Sequence, residues 1–521
     1  MHRCLCIAEI LSFICHQIRL DHGNATLAAL AQTCTSLSDT ALDELEFYAN
    51  INSDDFLCCL HGDLVKFDPE RSPTRRSVSF IDLLRPIRWS DLEVVRRHGK
   101  RVLCLTYDHT LTNHRIYLTQ ELLHVLANTS YRLFPSLRVL SWRFGPPLDE
   151  ETLFVGNLLV PTLKDVSLSQ FFELVPAIVP RLFQIAPSIQ SLTLNPYDSA
   201  VFYDTFSSLG QCLMGRKSLK ELYFDSDLRD IYSQLLSVVP SLPSLETLHL
   251  TSSECIERDE IFEPIEQEPS VFYPEAITPF FPALQTLFLG GPYLHILQTP
   301  NRFRSVTSVD VITGRPEYEP FIHGLTMSLP HDILTSLTIR NSIDWDPATD
   351  YACSSTVFRP LAVFKNLTHF VHASKWPIAW SDAGIDELSG FWPKLCSFSV
   401  DANPARTHFL CEGRLMNIRR LGILLTNCPL LEVVCVYLFA IELEEDKVEQ
   451  IDQLPRHERL DQLNLFCSPI QPEADEVAKL LKHMLPRLKS LSHNDRKLAT
   501  HPSRPLVMEQ WREVAKRVTG K

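Results

Sequence analysis

The stretches Pro243-Ser-Leu245-Glu-Thr-Leu248-His-Leu250 and Pro282-Ala-Leu284-Gln-Thr-Leu287-Phe-Leu289 carry one pattern. A proline is followed by an apolar residue two positions on, another three beyond that, and a third after two more. An interval of two puts Leu248 and Leu250 on the same face of an extended strand. The proline ahead of them halts a helix and biases its predecessor towards extended geometry. The pattern recurs at Pro135 with Leu137, Leu140 and Trp142, at Pro161 with Leu163, Val166 and Leu168, and at Pro187 with Ile189, Leu192 and Leu194. It returns at Pro393 with Leu395, Phe398 and Val400, and at Pro429 with Leu431, Val434 and Val436. Composition alone would give roughly three such matches in this length, whereas seven are present.

Looser copies begin at Val102, Leu219, Val306, Leu334 and Leu460, and degenerate ones at Leu367 and Leu488. Fourteen first positions between 102 and 488 give a mean interval of about 30 residues, at or slightly above the usual leucine-rich-repeat period. A single unit cannot bury its apolar face alone; stacking strands in parallel buries it along the array. Segments with helical spacing, such as Gln120-Glu-Leu-Leu-His-Val-Leu126, are expected to cover the other, convex side. The expected fold class is therefore α/β: a short all-α N-terminal module, then an irregular leucine-rich-repeat solenoid with parallel strands on its concave face and helices on its convex face. The expected domains are a three-helix module over 1–50, a linker with a first helical segment over 51–98, the solenoid over 99–495 and a C-terminal cap over 496–521.

Residues between the buried strand positions should face outward on the concave side. Arg143, Asn195, Tyr223, Asp225, His249, Asp310, Arg340, Asp401 and Tyr437 are the candidate substrate-binding residues of that strip. Folding alone does not require polar groups there, so the strip reads as a recognition surface for a partner protein. Two acidic segments, 254–268 and 442–449, read as exposed inserts between units.

Composition narrows the function classes. A formal net charge of -14 over 521 residues argues against wholesale nucleic-acid binding, which needs Lys and Arg to neutralise phosphates. Fifteen cysteines without a CxxC pair, many at apolar repeat positions, fit a reducing compartment, hence cytoplasm or nucleus. Only 16 glycines are present, with no P-loop, GxGxxG or nucleophile elbow, so neither a cofactor nor a catalytic site is expected. Cys4, Cys6, Cys15 and His16 match no zinc spacing, and no metal is expected. Asn427, Pro429 and Glu432 interrupt the most apolar long stretch, 422–441, so no membrane span is expected. The stretch Arg71–Arg101 holds nine basic residues and three acids and reads as a solvated linker and first-repeat surface.

Ahead of the array lie three helical patterns. Ile7, Ile10, Leu11 and Ile14 form one stripe; Leu27, Leu30, Ala31 and Cys34 repeat its spacing after Asn24; Leu42 and Leu45 follow Ser38 and Asp39. Three helices in under 50 residues cannot bury all these faces on one another, so part of the surface should pack elsewhere. Leu5-Cys-Ile-Ala-Glu-Ile-Leu11, Ile14, Thr26-Leu-Ala-Ala-Leu-Ala31, Thr33-Cys34 and Ala41-Leu-Asp-Glu-Leu45 resemble an F-box, and the layout is similar to a large fungal group of F-box proteins with degenerate leucine-rich repeats. Pro86-Ile-Arg-Trp-Ser-Asp-Leu-Glu-Val-Val95, leading into Arg101-Val-Leu-Cys-Leu105, is similar to the joining segment of that group. Two positions depart from it: Ala8 stands where the family has proline, and Glu46 and Phe47 where it has tryptophan.

The resemblance implies a substrate receptor of a cullin-type ubiquitin ligase. Its F-box would dock on a Skp-family adaptor, and through it a cullin, while the repeats hold a substrate protein. Ile7, Ile10, Leu11, Ile14, Leu27, Leu30 and Leu42 are the implied adaptor-binding residues, some of which must instead be core. The alternative is a leucine-rich protein-interaction scaffold whose box has drifted and has no ubiquitin role.

Overall fold

Among the described residues a tight turn precedes many strands of the array, and in several of these turns proline has its place. The amide of Leu137 donates to the carbonyl of Phe134 at 3.3 Å, spanning Pro135. Leu163 to Val160 across Pro161, Leu395 to Trp392 across Pro393, and Leu431 to Cys428 across Pro429 repeat it at 3.2, 3.0 and 3.2 Å. Proline thus sits second in a four-residue turn, where its fixed φ is already the one required. Its role is to aim the strand as much as to end the helix.

In this computed structural model the described residues are 8–21, 23–33, 35–45, 47–50, 65–68, 79–83, 85, 88–108, 125, 127, 133–144, 149–171, 175–196, 209–225, 238–239, 242–252, 281–298, 303–313, 318–341, 353–374, 378–402, 416–438, 455–465, 474–492 and 504–520. The helix expected over 120–126 falls largely outside them, and both acidic segments, 254–268 and 442–449, do too. The chain divides into two units, residues 1–245 and 246–521.

The first unit opens with helices α1 (Ala8–Leu20), α2 (Asn24–Thr33) and α3 (Thr35–Leu45). They close around Leu11, Cys15, Leu27 and Ala41, with Ile18, Leu30, Ala31, Leu37 and Leu45 packed against that core. Arg19 pairs with Glu44 at 2.9 Å and lies over the Phe47 ring, 4.5 Å from its centre. The next described element after α3 is a strand, β1 (Tyr48–Asn50). An antiparallel pair follows, β2 (Val65–Asp68) with β3 (Ser79–Leu83). Then come β4 (Cys104–Asp108), β5 (Val139–Arg143), β6 (Asp165–Phe171), β7 (Ser191–Pro196) and β8 (Glu221–Asp225). β1 pairs in parallel with β4, and β4 to β8 pair in parallel in chain order. The carbonyl of Phe47 accepts the amides of Leu103 and Cys104, and Arg101 pairs with Asp39 at 2.9 Å. The helical module is thereby stitched to the sheet at its first strand. In the basic stretch, Arg85 pairs with Asp91 at 2.7 Å and Arg96 with Glu93 at 2.9 Å.

The second unit repeats the plan with β9 (Thr247–Thr251), β10 (Thr286–Gly290), β11 (Ser308–Thr313), β12 (Ser336–Asn341), β14 (His369–Ser374), β16 (Ser397–Ala402), β17 (Val433–Val436), β18 (Gln462–Asn464) and β19 (Ser490–Ser492), each parallel to the next. β13 (Cys353–Ser354) and β15 (Ile378–Ala379) form a separate small pair. Register places Leu248, Leu287, Val309, Leu337, Phe370, Phe398, Val434 and Leu463 in one column, and all are buried. The helices 318–328, 382–391, 418–427 and 474–484 and the 3-10 segment 355–363 lie between strands in the chain, and Phe358 of that segment and Trp392, just past helix 382–391, meet an inward side chain of β14. Trp392 lies 4.8 Å from Phe370 and donates from Nε1 to the Leu361 carbonyl at 3.4 Å. Phe358 meets Phe370 at 6.0 Å. The C-terminal helix, 504–519, buries Trp511 and Val514. The fold is thus α/β, a parallel leucine-rich-repeat array behind N-terminal helices.

The unit at Leu367, degenerate in sequence, forms a full strand. Its third inward position, filled in most other repeats of the second unit by Leu, Val or Ile, holds His372, which is 1% exposed and edge-on to Phe358 at 5.1 Å. Burial pushes its imidazole pKa down to about 3. The folded chain stays neutral there while the unfolded one protonates below its ordinary value near 6.5. The unfolded state therefore binds more protons between those values, and stability falls as pH drops through that window, by at most about 1.4 kcal/mol per pH unit. His372→Leu should flatten this acid limb in denaturant titrations from pH 7 to 4. A second variant checks the register: Leu248→Ala, at a position with no exposed surface, should cost ~2–5 kcal/mol by chemical denaturation.

Candidate recognition surface

Alternation along each strand creates two outward rows. In the first unit one row runs Thr106, Ser141, Ser167, Thr193 and Tyr223, and the next runs Asp108, Arg143, Ser169 and Asn195. Arg143 faces Asp108 at 3.7 Å, and Asn195 Nδ2 donates to Asp225 Oδ2 at 3.4 Å. Tyr223 is half-buried, and burial, then the nearby Glu221 carboxylate, raises its phenol pKa. Cross-strand spacing of roughly 4.8 Å brings such neighbours together whatever their distance in sequence.

The second unit holds a tight outward cluster. Strand register aligns His249, Phe288, Asp310 and Thr338 across β9 to β12. The His249 and Phe288 rings stack with centres 3.8 Å apart and planes 14° apart. Arg340 Nη2 donates to Asp310 Oδ2 at 2.7 Å, and its guanidinium sits 5.9 Å from the Phe288 ring centre. Burial, reinforced by the Arg340 charge, pushes the His249 pKa down to about 4, so the stacked ring is neutral at physiological pH. Burial raises the Asp310 pKa while the guanidinium opposes that shift.

Three residues of the expected strip, His249, Asp310 and Arg340, thus meet in one place. Phe288 joins them although absent from the polar strip: it occupies the outward slot between Leu287 and Leu289, the signal that would have found it. Asp401 stands in β16 opposite Ala373. Tyr437 is placed differently from the strip expected for it, lying one residue beyond β17 and buried.

The helical module sorts its own candidates. Leu11 and Leu27 are interior and unavailable to a partner, correcting their implied place at an adaptor surface; they fill the gap where the three helices cross. Ile14, Leu30 and Leu42 are half-buried, and Ile7 lies outside the described residues. Ile10 is 40% exposed, and so are two residues the stripe omitted, Phe13 at 64% and Leu20 at 54%. Positions 10, 13 and 20 fall on one side of α1, away from Leu11 and Cys15.

No family model matches the sequence, and no curated protein does. Among solved structures it is similar to the leucine-rich repeat-containing protein LegL7 from Legionella pneumophila, at 12% identity and TM-score 0.33, covering 73% of this chain and 97% of that one. It is also similar to the TLR13–ssRNA13 complex, at 14% identity and TM-score 0.32, covering 77% of this chain and 52% of that one. A third is the Rad7 and Elc1 complex in yeast, at 13% identity and TM-score 0.25, covering 77% and 79%. The leucine-rich-repeat assignment rests on the chain's own register and buried columns, not on these likenesses. Among the described residues no group of His, Cys, Asp or Glu could hold a metal ion, and no helix is long and apolar enough to cross a membrane.

Ile10→Asp should change unfolding free energy by no more than about 0.5 kcal/mol, as at ordinary surface sites. Leu11→Asp, one residue on, should cost on the order of 3 kcal/mol or more, because the charge would be buried without a partner. Thermal melts of the two variants check this assignment of surface and core.

Proposed function

We propose that the chain is a non-catalytic protein-binding adaptor acting as the substrate receptor of a cullin-type ubiquitin ligase. The observation that carries the reading is the exposed stripe of Ile10, Phe13 and Leu20 on α1, on a module joined to a parallel repeat array by β1. Large apolar side chains clustered on one helix face are the usual mark of a docking site. The sequence resemblance makes the docked partner a Skp-family adaptor in cytoplasm or nucleus, and the outward face of the array would hold the substrate. The chemistry would belong to other subunits, and this chain would contribute proximity.

A second reading, a repeat scaffold with no ubiquitin role, is favoured by one observation. Phe47, near the position where the family has tryptophan, is committed to the junction with the sheet: its ring lies under Arg19 and its carbonyl holds Leu103 and Cys104. Binding of the intact chain to purified Skp-family adaptor separates the two. The ligase reading expects a complex that Phe13→Asp weakens at least tenfold while leaving the melting temperature unchanged. A folded chain that fails to bind the adaptor would leave the scaffold.

A further inference from the structure

The outward face of β9 to β12 and β14 is nearly free of charge. One row runs His249, Phe288, Asp310, Thr338 and Val371, and the other Gly290, Ile312, Arg340 and Ala373. Its two charged side chains are unequally placed: the Arg340 side chain is 51% exposed and the Asp310 side chain 21%. The carboxylate is tucked into the sheet and the guanidinium stands above it. The ion pair is neutral as a whole, but it presents its positive end outward.

Arg340 is also held in position. Asp310 takes one Nη2 donor at 2.7 Å, and the Phe288 ring, itself stacked on His249, lies beneath the guanidinium. A guanidinium carries five donors in a fixed fork, so most of its capacity stays available for a second carboxylate. Held this way, it loses less side-chain freedom on binding than a loose arginine would. Its row neighbours, Ile312 and Ala373, are apolar and half-buried. An arginine over an aromatic, flanked by apolar side chains, has the composition of an interface hot spot that a partner would shield from water.

We propose that this face takes an acidic segment of a partner polypeptide, with an Asp or Glu carboxylate paired to Arg340 and a flanking apolar side chain over Phe288 and Ile312. The inference rests on the reading of the array as a substrate-holding surface and names the chemistry of what it holds.

A displayed library of random twelve-residue peptides, panned against the full chain, provides the probe. Enriched peptides should carry Asp or Glu beside an apolar residue. Their affinity should fall at least tenfold with Arg340→Ala, and Arg340→Glu should turn the preference towards Lys and Arg. Circular dichroism and melting of each variant confirm the fold, which an exposed side chain leaves intact. Peptides that lose binding with Phe288→Ala yet ignore both Arg340 variants would overturn the acidic specificity while keeping the surface. Peptides indifferent to Phe288→Ala as well, or no enrichment at all, would overturn the recognition surface itself.

Discussion

Along most of the array the carbonyl just ahead of a strand accepts two amides from the following unit, and the array is built on that repeated bond. The Thr335 carbonyl receives Thr368 N at 2.8 Å and His369 N at 3.0 Å, and the Thr368 carbonyl receives Cys396 and Ser397 in the same way. Threonine hydroxyls join in: Thr335 Oγ1 donates to Thr307 O at 3.1 Å and Thr368 Oγ1 to Thr335 O at 2.9 Å. A strand in such an array has no hydrogen-bonded existence apart from its neighbours. Register, burial of the two inward columns and alignment of the two outward rows all follow from it.

Fixed register explains how distant residues become a site. Phe288 and Arg340 stand on β10 and β12, with a strand between them, yet β11 delivers Asp310 into the gap. The ion pair, the ring beneath it and the stacked histidine are consequences of strand spacing. Their rigidity comes from a backbone that cannot slip without turning every buried leucine outward. The same constraint accommodates an odd residue in the core: strand alternation puts His372 on the inward face with Phe370, and the cost of burying an imidazole appears in its depressed pKa.

At the N-terminal end, the three-helix module is tied down differently. Its core is small, four buried residues and their half-buried neighbours, and small cores need outside support. Support comes from β1 and from the Arg101 pairs with Asp39 and Asp43. Three large apolar side chains, Ile10, Phe13 and Leu20, stay exposed on the outward side of α1 beside Glu9 and Gln17.

Much of the fold could be read from the chain alone. Period-two apolar pairs behind a proline locate strands without coordinates, because strand geometry and proline's fixed φ are local properties; parallel stacking follows because one such face cannot be buried alone. The unit containing His372 was obscured for the same reason, since a histidine breaks the apolar pattern that local reading depends on. Which outward residues meet was not legible. His249, Asp310 and Arg340 could be placed in a strip, but which of their side chains meet depends on cross-strand contacts that only the packed sheet sets. Phe288 falls outside the strip because polarity, not position, defines it. In the helical module, spacing found the apolar residues, yet only the crossing of three helices decided that Leu11 and Leu27 turn inward and Ile10 outward. Local geometry is written in consecutive residues, whereas burial and partnership belong to the packed whole.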